Sequence, residues 1–297
     1  GQLDHTSAYT VDYDNQVVPT EKYDAKKTYK KCSGYQSGIA SIGRHITYIE
    51  GRNGNSPAKY KQKDTLQRTF ELLEAEEIKT NRFRADSASY QKEVIDLVTD
   101  RGMLFYIRAT RCANMEQQIG TLPDQAWTKI RLGTQEMEVA EINDYQPFGK
   151  GKAYRLVISR IKRKDKQTDV FTGTAYTYRA IITNDIQWDK RQVTSFYNKR
   201  GSSEVTFDVM NNDFGWSNLP CSFLNENTSF MIMTALYANF YSFMIGRFAE
   251  KISWLDASFR LKKFVFRFIT VAAKWIKTGR QHVLKLYTQK DYRPLTT

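Results

Sequence analysis

The sequence predicts an α/β domain whose sheet opens with three antiparallel strands and which is interrupted by a β-rich insertion. Three observations carry this. Short runs of β-forming residues occupy the start of the chain, apolar residues recur at helical spacing between residues 64 and 100, and the resulting order is three strands, helix, strand, helix, strand. Beyond about residue 111 the texture changes to alternating β-like runs.

Each element has its own signal. Ala8 to Val18 is rich in β-formers and stops before Pro19; Tyr35 to Gly43 and His45 to Gly51 read as two more strands, followed by the loop Arg52 to Ala58. Asp64 is the expected N-cap of a helix that places Leu66, Phe70 and Leu73 on one face. Asn81 to Ala85 is a short strand. Ser89 to Asp100 is a helix with Val94, Ile95, Leu97 and Val98 inward, Gly102 stops it, and Met103 to Ala109 is again a strand. From Arg111 to Ile182 runs such as TKIRL, MEVAEI, AYRLVISRI and RAIITN show no helical period, and helical patterning resumes from Gln192 to Asn211. Thr228 to Gly246 lacks any charge; its polar residues dilute it below a convincing membrane span, so a buried helix packed on the sheet is expected. Trp254 to Ile276 has the pattern of a basic amphipathic helix. These divisions give a core at 8–110, an insertion at 111–182, completion of the core at 183–250 and a basic C-terminal helical region at 251–297.

Composition narrows the chemistry. The 297 residues carry a net charge of +13, and 41% hydrophobic with 13% aromatic residues marks a folded chain. Cys32, Cys112 and Cys221 lie far apart, and His5, His45 and His282 form no metal-binding spacing, so disulfide scaffolds and zinc sites are excluded and a reducing cytoplasm fits. Gly1 in place of Met suggests a piece of a longer protein. The charge is uneven: residues 150–200 hold 13 Lys and Arg against 4 Asp and Glu, residues 246–297 hold 12 against 3, and the remainder is net acidic. Two basic segments around an acidic remainder suit a carboxylate-bearing core served by surfaces that grip polyanions. In the first segment Tyr154, Arg155, Arg160, Lys162, Arg163, Lys164 and Lys166 are followed by Phe171, Tyr176, Tyr178 and Arg179, so that rings could stack on bases while cations meet phosphates.

Metal chemistry, without His or Cys clusters, would rest on oxygens. Asp12 and Asp14 are two apart on a strand and share a face, in a segment apolar enough to be buried; such a pair is costly unless a cation neutralises it. Asp86 closes a strand at the start of a helix, where it is either a catalytic group at the sheet's carboxyl edge or a cap. Tyr197, Arg200 and Glu204 have the spacing of one helical face, which also suits a plain Arg–Glu pair.

On these residues the chain resembles the DDE-type insertion-sequence transposases with a Y-x2-R-x3-E-x6-K motif. The resemblance rests on Asp12-Tyr13-Asp14, on Arg84-Ala85-Asp86-Ser87, on the strand Ile181 to Asn184, on Tyr197, Arg200 and Glu204, and on the C-terminal RLKKFVFRFITVAAKWIKTGR; it covers the chain from about residue 8. It implies an RNase H-like mixed sheet flanked by helices, with a β-rich insertion and C-terminal helices. It further implies that Asp14, Asp86 and Glu204 are catalytic and hold two Mg²⁺ or Mn²⁺ ions, with Asp12 the alternate to Asp14, and that Tyr197 and Arg200 bind DNA phosphates. The activity implied is cleavage of element ends and joining of the 3′-OH to target DNA, by a dimer on double-stranded DNA in a bacterial cytoplasm, with no membrane involved. The sequence departs from the motif at Asn211, where the family has Lys, and at Asn15, where Thr usually follows the first aspartate closely. Two alternatives use the same residues: a degenerate or truncated relative that binds DNA without cutting, and a basic amphipathic protein of membrane surfaces.

Overall fold

A computed structural model describes residues 3–149, 151–162 and 176–290. Its strands and helices, in chain order, are β1 (Tyr9–Pro19), β2 (Lys26–Lys27), β3 (Ser33–Ile42), β4 (His45–Glu50), α1 (Gln62–Ala75), β5 (Thr80–Ala85), α2 (Lys92–Asp100), β6 (Leu104–Arg108), α3 (Ala113–Gly120), β7 (Thr128–Leu132), β8 (Gln135–Tyr145), β9 (Tyr154–Lys162), β10 (Tyr176–Thr183), α4 (Lys190–Asn198), α5 (Ser202–Asp213), α6 (Leu224–Lys251), α7 (Leu261–Phe264), β11 (Ala272–Thr278) and β12 (Gln281–Tyr287).

β1 lies at the heart of the sheet. It runs antiparallel to β3 and parallel to β5, β3 carries β4 on its far side, and β5 is parallel to β6. The order β4-β3-β1-β5-β6, with an antiparallel meander followed by two parallel crossovers, is that of an RNase H-like sheet, as expected. The period-two alternation of a strand then separates two faces. Val11, Tyr13, Phe83, Ala85, Phe105 and Ile107 point toward α1 and α2, where Leu66, Phe70, Val94 and Val98 complete a core. Tyr106 and Ile181 point the other way and pack on Val193 and Tyr197 around α4, while Val18 and Ile39 meet Phe207, Met210 and Met231 of α5 and α6. Asp12 and Asp14 belong to this second face.

The insertion does not stand apart from the sheet. β10 pairs antiparallel with β6, and β9, β8 and β7 follow in order, so the described strands of both regions form one continuous sheet. One departure from the all-β expectation is α3, an eight-residue helix whose Met115 and Ile119 are buried against the α1–α2 core. Its two apolar anchors, four apart, are too few to stand out against the surrounding strand pattern. Arg163, Lys164, Lys166 and Phe171 of the expected basic and aromatic run lie outside the described residues.

Two other expectations are corrected. α1 begins at Gln62, so Asp64 falls inside the first turn instead of capping it, where its charge still favours the helix N-terminus. The C-terminal region is not a single amphipathic helix. α7 has one turn and continues as a π-helical turn, Val265–Ile269, whose Phe268 stacks on Phe264 at 4.8 Å beside Phe248 and Trp254. The chain then forms the hairpin β11–β12 around Gly279, whose φ of +59° suits the two-residue turn.

Candidate active site

The register of β1 against β5 pairs Asp12 with Arg84 and Tyr13 with Ala85. Continuing that ladder by one residue sets Asp14, midway along β1, level with Asp86, the residue just beyond β5, so two carboxylates meet at the carboxyl end of β5. Asp86 caps the short 3₁₀ turn Ser87–Ser89 by accepting the Ala88 N–H at 3.0 Å. The cap expected of Asp86 thus belongs to this 3₁₀ turn and not to α2, which begins after Gln91, and its carboxyl lies near Asp14. Burial, reinforced by the negative charge of Asp14, pushes the Asp86 carboxyl above its ordinary range.

Asp12 has a different environment. Arg84 grips it with both arms, Nε to Oδ1 at 2.7 Å and Nη2 to Oδ2 at 2.8 Å, while Nη1 donates to the Phe196 carbonyl at 2.6 Å. The guanidinium also lies 4.5 Å from the centre of the Phe196 ring. Asp14 is more open; it accepts Arg200 Nη1 at 2.7 Å and the Asn15 N–H at 2.9 Å. The cations that offset this aspartate pair in the fold are thus arginines from β5 and from the turn after α4.

Tyr197 is buried on α4 and donates its hydroxyl to the Ala85 carbonyl at 3.2 Å, one residue from Asp86. Arg200 follows in a 3₁₀ turn, Lys199–Gly201, and Glu204 lies in the first turn of α5. The helical face expected from 197 to 204 is interrupted by this 3₁₀ turn, although Lys199 and Gly201 keep right-handed helical backbone angles. Asp14, Asp86, Tyr197 and Arg200 come together. Glu204 is exposed, and among the described residues no three His, Cys, Asp or Glu side chains converge as a metal site.

A family model for transposase DDE domain group 1 matches residues 5–296, nearly the entire chain. The chain belongs to this transposase family. No curated protein matches it. Among solved structures it is similar to a piggyBac transposase synaptic complex with hairpin DNA, at 10% identity and a TM-score of 0.40, over 81% of this chain and 54% of that one. The chain thus spans about half the length of that relative.

The family generally uses divalent metal ions. Asp14 and Asp86 fit such a group: both are oxygen donors, they are adjacent, and among the described residues Asp86 has no ion pair of its own. Asp12 fits poorly, since both its oxygens are bound by Arg84.

The transposase site also contains residues that the motif does not reveal. Arg108 ends β6 beside this pair, and Arg179 lies on β10; burial together with the positive charges of Arg179 and Arg200 lowers the Arg108 pKa. Between them is a cavity of about 200 Å³ lined by Ser87, Arg108, Thr110, Arg111, Tyr178 and Arg179. Glu116 lines the same cavity and pairs with Arg111 at 2.8 Å. Arg179 was visible as part of the basic run, but Arg108 had no signal beyond ending a strand. Asn211 sits within α5, where its carbonyl accepts the Ser217 hydroxyl at 2.8 Å.

Proposed function

We propose that the chain is the catalytic part of a DNA transposase that cuts element ends and joins the freed 3′-OH to target DNA. The observation that carries this is the β1–β5 register, which sets Asp14 beside Asp86 at the edge where Arg200, Arg108 and Arg179 gather. Asp14 and Asp86, with Glu204 brought in on substrate binding, would hold two Mg²⁺ or Mn²⁺ ions, which when bound supply an activated oxygen nucleophile and stabilise the leaving oxygen. Tyr197 fixes the end of β5 through Ala85 and so orients Asp86. Arg200 is placed to exchange Asp14 for a DNA phosphate, its planar guanidinium suiting two phosphate oxygens. In this reading residues 8–110 and 183–250 form the catalytic core, 111–182 the insertion and 251–297 a basic DNA grip, and the protein works as a dimer on double-stranded DNA in a bacterial cytoplasm.

Asp86→Asn and Glu204→Gln are each expected to abolish Mg²⁺-dependent cleavage of cognate end DNA while leaving a gel-shift affinity unchanged. Parental cutting rates in both variants would refute the assignment. A second reading, a relative that binds DNA without cutting, is favoured by two observations: Glu204 is exposed and Arg200 already engages Asp14. Calorimetric titration of Mg²⁺ into the DNA-bound protein separates the two, since only the cutting form takes up ions at Asp14 and Asp86.

A further inference from the structure

The net acidic part of the chain contains a basic rim that its sum conceals. Lys22, Lys26, Lys27, Lys30 and Lys31 follow β1 within residues 20–31, against Glu21 and Asp24, and Lys59, Lys61 and Lys63 lie within residues 57–63, where there is no acid. Asp24 turns inward, accepting the Tyr35 hydroxyl and the Leu224 N–H. Among the described residues none of these lysines forms an ion pair. Tyr23 and Tyr29 stand 86 and 70% exposed among them, and Tyr60 is exposed between Lys59 and Lys61. Unpaired ammonium groups with tyrosine hydroxyls between them are the donors that contact a phosphate backbone.

The two segments form one surface. The Asn53 side chain accepts the Lys26 N–H at 2.8 Å and donates to the Asp24 carbonyl at 2.7 Å, fastening the loop after β4 to the loop after β1. Gly54 lies so close to the Gly34 and Lys26 carbonyls that a Cβ there would stand 2.4 Å from each oxygen. Farther along, Gln62 donates to the Ala58 carbonyl at 2.7 Å and accepts Gln91 Nε2 at 3.2 Å, which ties Lys59 and Lys61 to the segment after Asp86. In register, Asp14 is level with Ile39 and, across β3, with Ile49, one residue before β4 ends. Lys26 is level with Pro19 through Gly34, five residues or about 17 Å beyond Asp14, the length of about five phosphate steps on one strand. The rim thus starts at the level of the acids and leads away from them along the same edge of the sheet.

We propose that this rim holds the backbone of the target duplex, the DNA to which the 3′-OH is joined in the transposase reading on which this assignment rests. Joining brings two duplexes to one acidic pair, and the sheet order β4-β3-β1-β5-β6-β10 gives that pair two sides. Arg108 on β6 and Arg179 on β10 lie on one side; the lysines lie on the other, beside β1, β3 and β4. The side chains differ in kind as well as in place. A guanidinium fork fixes the orientation of the phosphate it binds, whereas an ammonium group is a point charge on a flexible stem that meets phosphate from many directions. Contacts of the second kind carry no sequence information, which suits a duplex of no fixed sequence, while an element end has to be held in one register.

Fluorescence anisotropy of a labelled random-sequence duplex, added across a salt series to the full chain already saturated with unlabelled cognate end DNA, tests this. Replacing the exposed Lys26, Lys27, Lys30 and Lys59 with alanine is expected to keep the thermal unfolding midpoint, and to keep the affinity for end DNA within about two-fold. The same variant should lower the log–log salt slope for the second duplex by about 2 to 3.6 and weaken its capture by about ten-fold or more at about 150 mM salt, and arginine at the four positions should restore both. A parent that takes up no second duplex, or an alanine variant with the parental slope, overturns the proposal. An equal loss of affinity for end DNA overturns the assignment to the target. Neither readout requires cutting, so a parent that binds both duplexes without cleaving refutes the catalytic reading and leaves the rim standing.

Discussion

Arg84 and Asp12 form a buried pair in which both carboxylate oxygens and three guanidinium nitrogens are used. Such a pair contributes little net stability against an apolar substitute, but removing one member strands the other charge. Arg84→Met is therefore expected to lower unfolding stability by about 3–5 kcal/mol in urea titrations, and Asp12→Asn with Arg84→Met to cost less than the sum of the single changes. Arg200 is the contrasting case, since its partner Asp14 is partly open. Arg200→Ala should cost less stability than Arg84→Met, because the aspartate left unpaired keeps some contact with solvent, and should slow end cleavage by about 100-fold, the usual cost of losing one charge-stabilising donor. The D-x-D spacing made the shared face and the need for a cation legible. It could not show that the cations are guanidiniums 72 and 186 residues away, because strand register and the turn after α4 decide which arginine arrives.

Elements were legible where a single period dominates. The first three long strands, α1 and α2 carry unambiguous alternation or i, i+4 spacing, and their observed bounds lie within a few residues of those expected. The C-terminal region was not, because Phe264, Phe268 and Arg267 between them fit a helix while the following segment fits a strand, and only Gly279 marks the difference. Almost every residue of β11 and β12 is exposed, so the hairpin owes little to packing on the rest of the chain. Replacing Lys274, Lys277, Arg280 and Lys285 with alanine is expected to move the main unfolding midpoint by no more than about 2 °C. If the hairpin touches DNA, the same variant should reduce the salt slope of DNA binding by up to about 3.6, measured by fluorescence anisotropy.

For the molecule as a whole, charge organises the outcome more than its total of +13 implies. The basic surplus lies in residues 150–200 and 246–297, whereas Asp14 and Asp86 belong to the net acidic remainder. If six or more phosphates are engaged, raising salt from 50 to 200 mM should weaken DNA binding by about 1,000-fold or more, and a flat salt dependence would argue for another ligand. The core strand order could be anticipated from the element sequence. The join of the insertion to that core could not, because an antiparallel ladder between β6 and β10 depends on register across some seventy residues.

That ladder also governs how the protein could be taken apart or recombined. β10 covers the hydrogen-bonding edge of β6, whose Phe105, Tyr106 and Ile107 are fully buried. Excising the insertion to make a smaller protein would bare an apolar strand edge, a template for other chains to add to, so the trimmed protein should aggregate even with its acidic pair intact. A chimera between relatives would have to carry β10 in register along with the strands it leads to, which makes the insertion a poor candidate for exchange as a free-standing module.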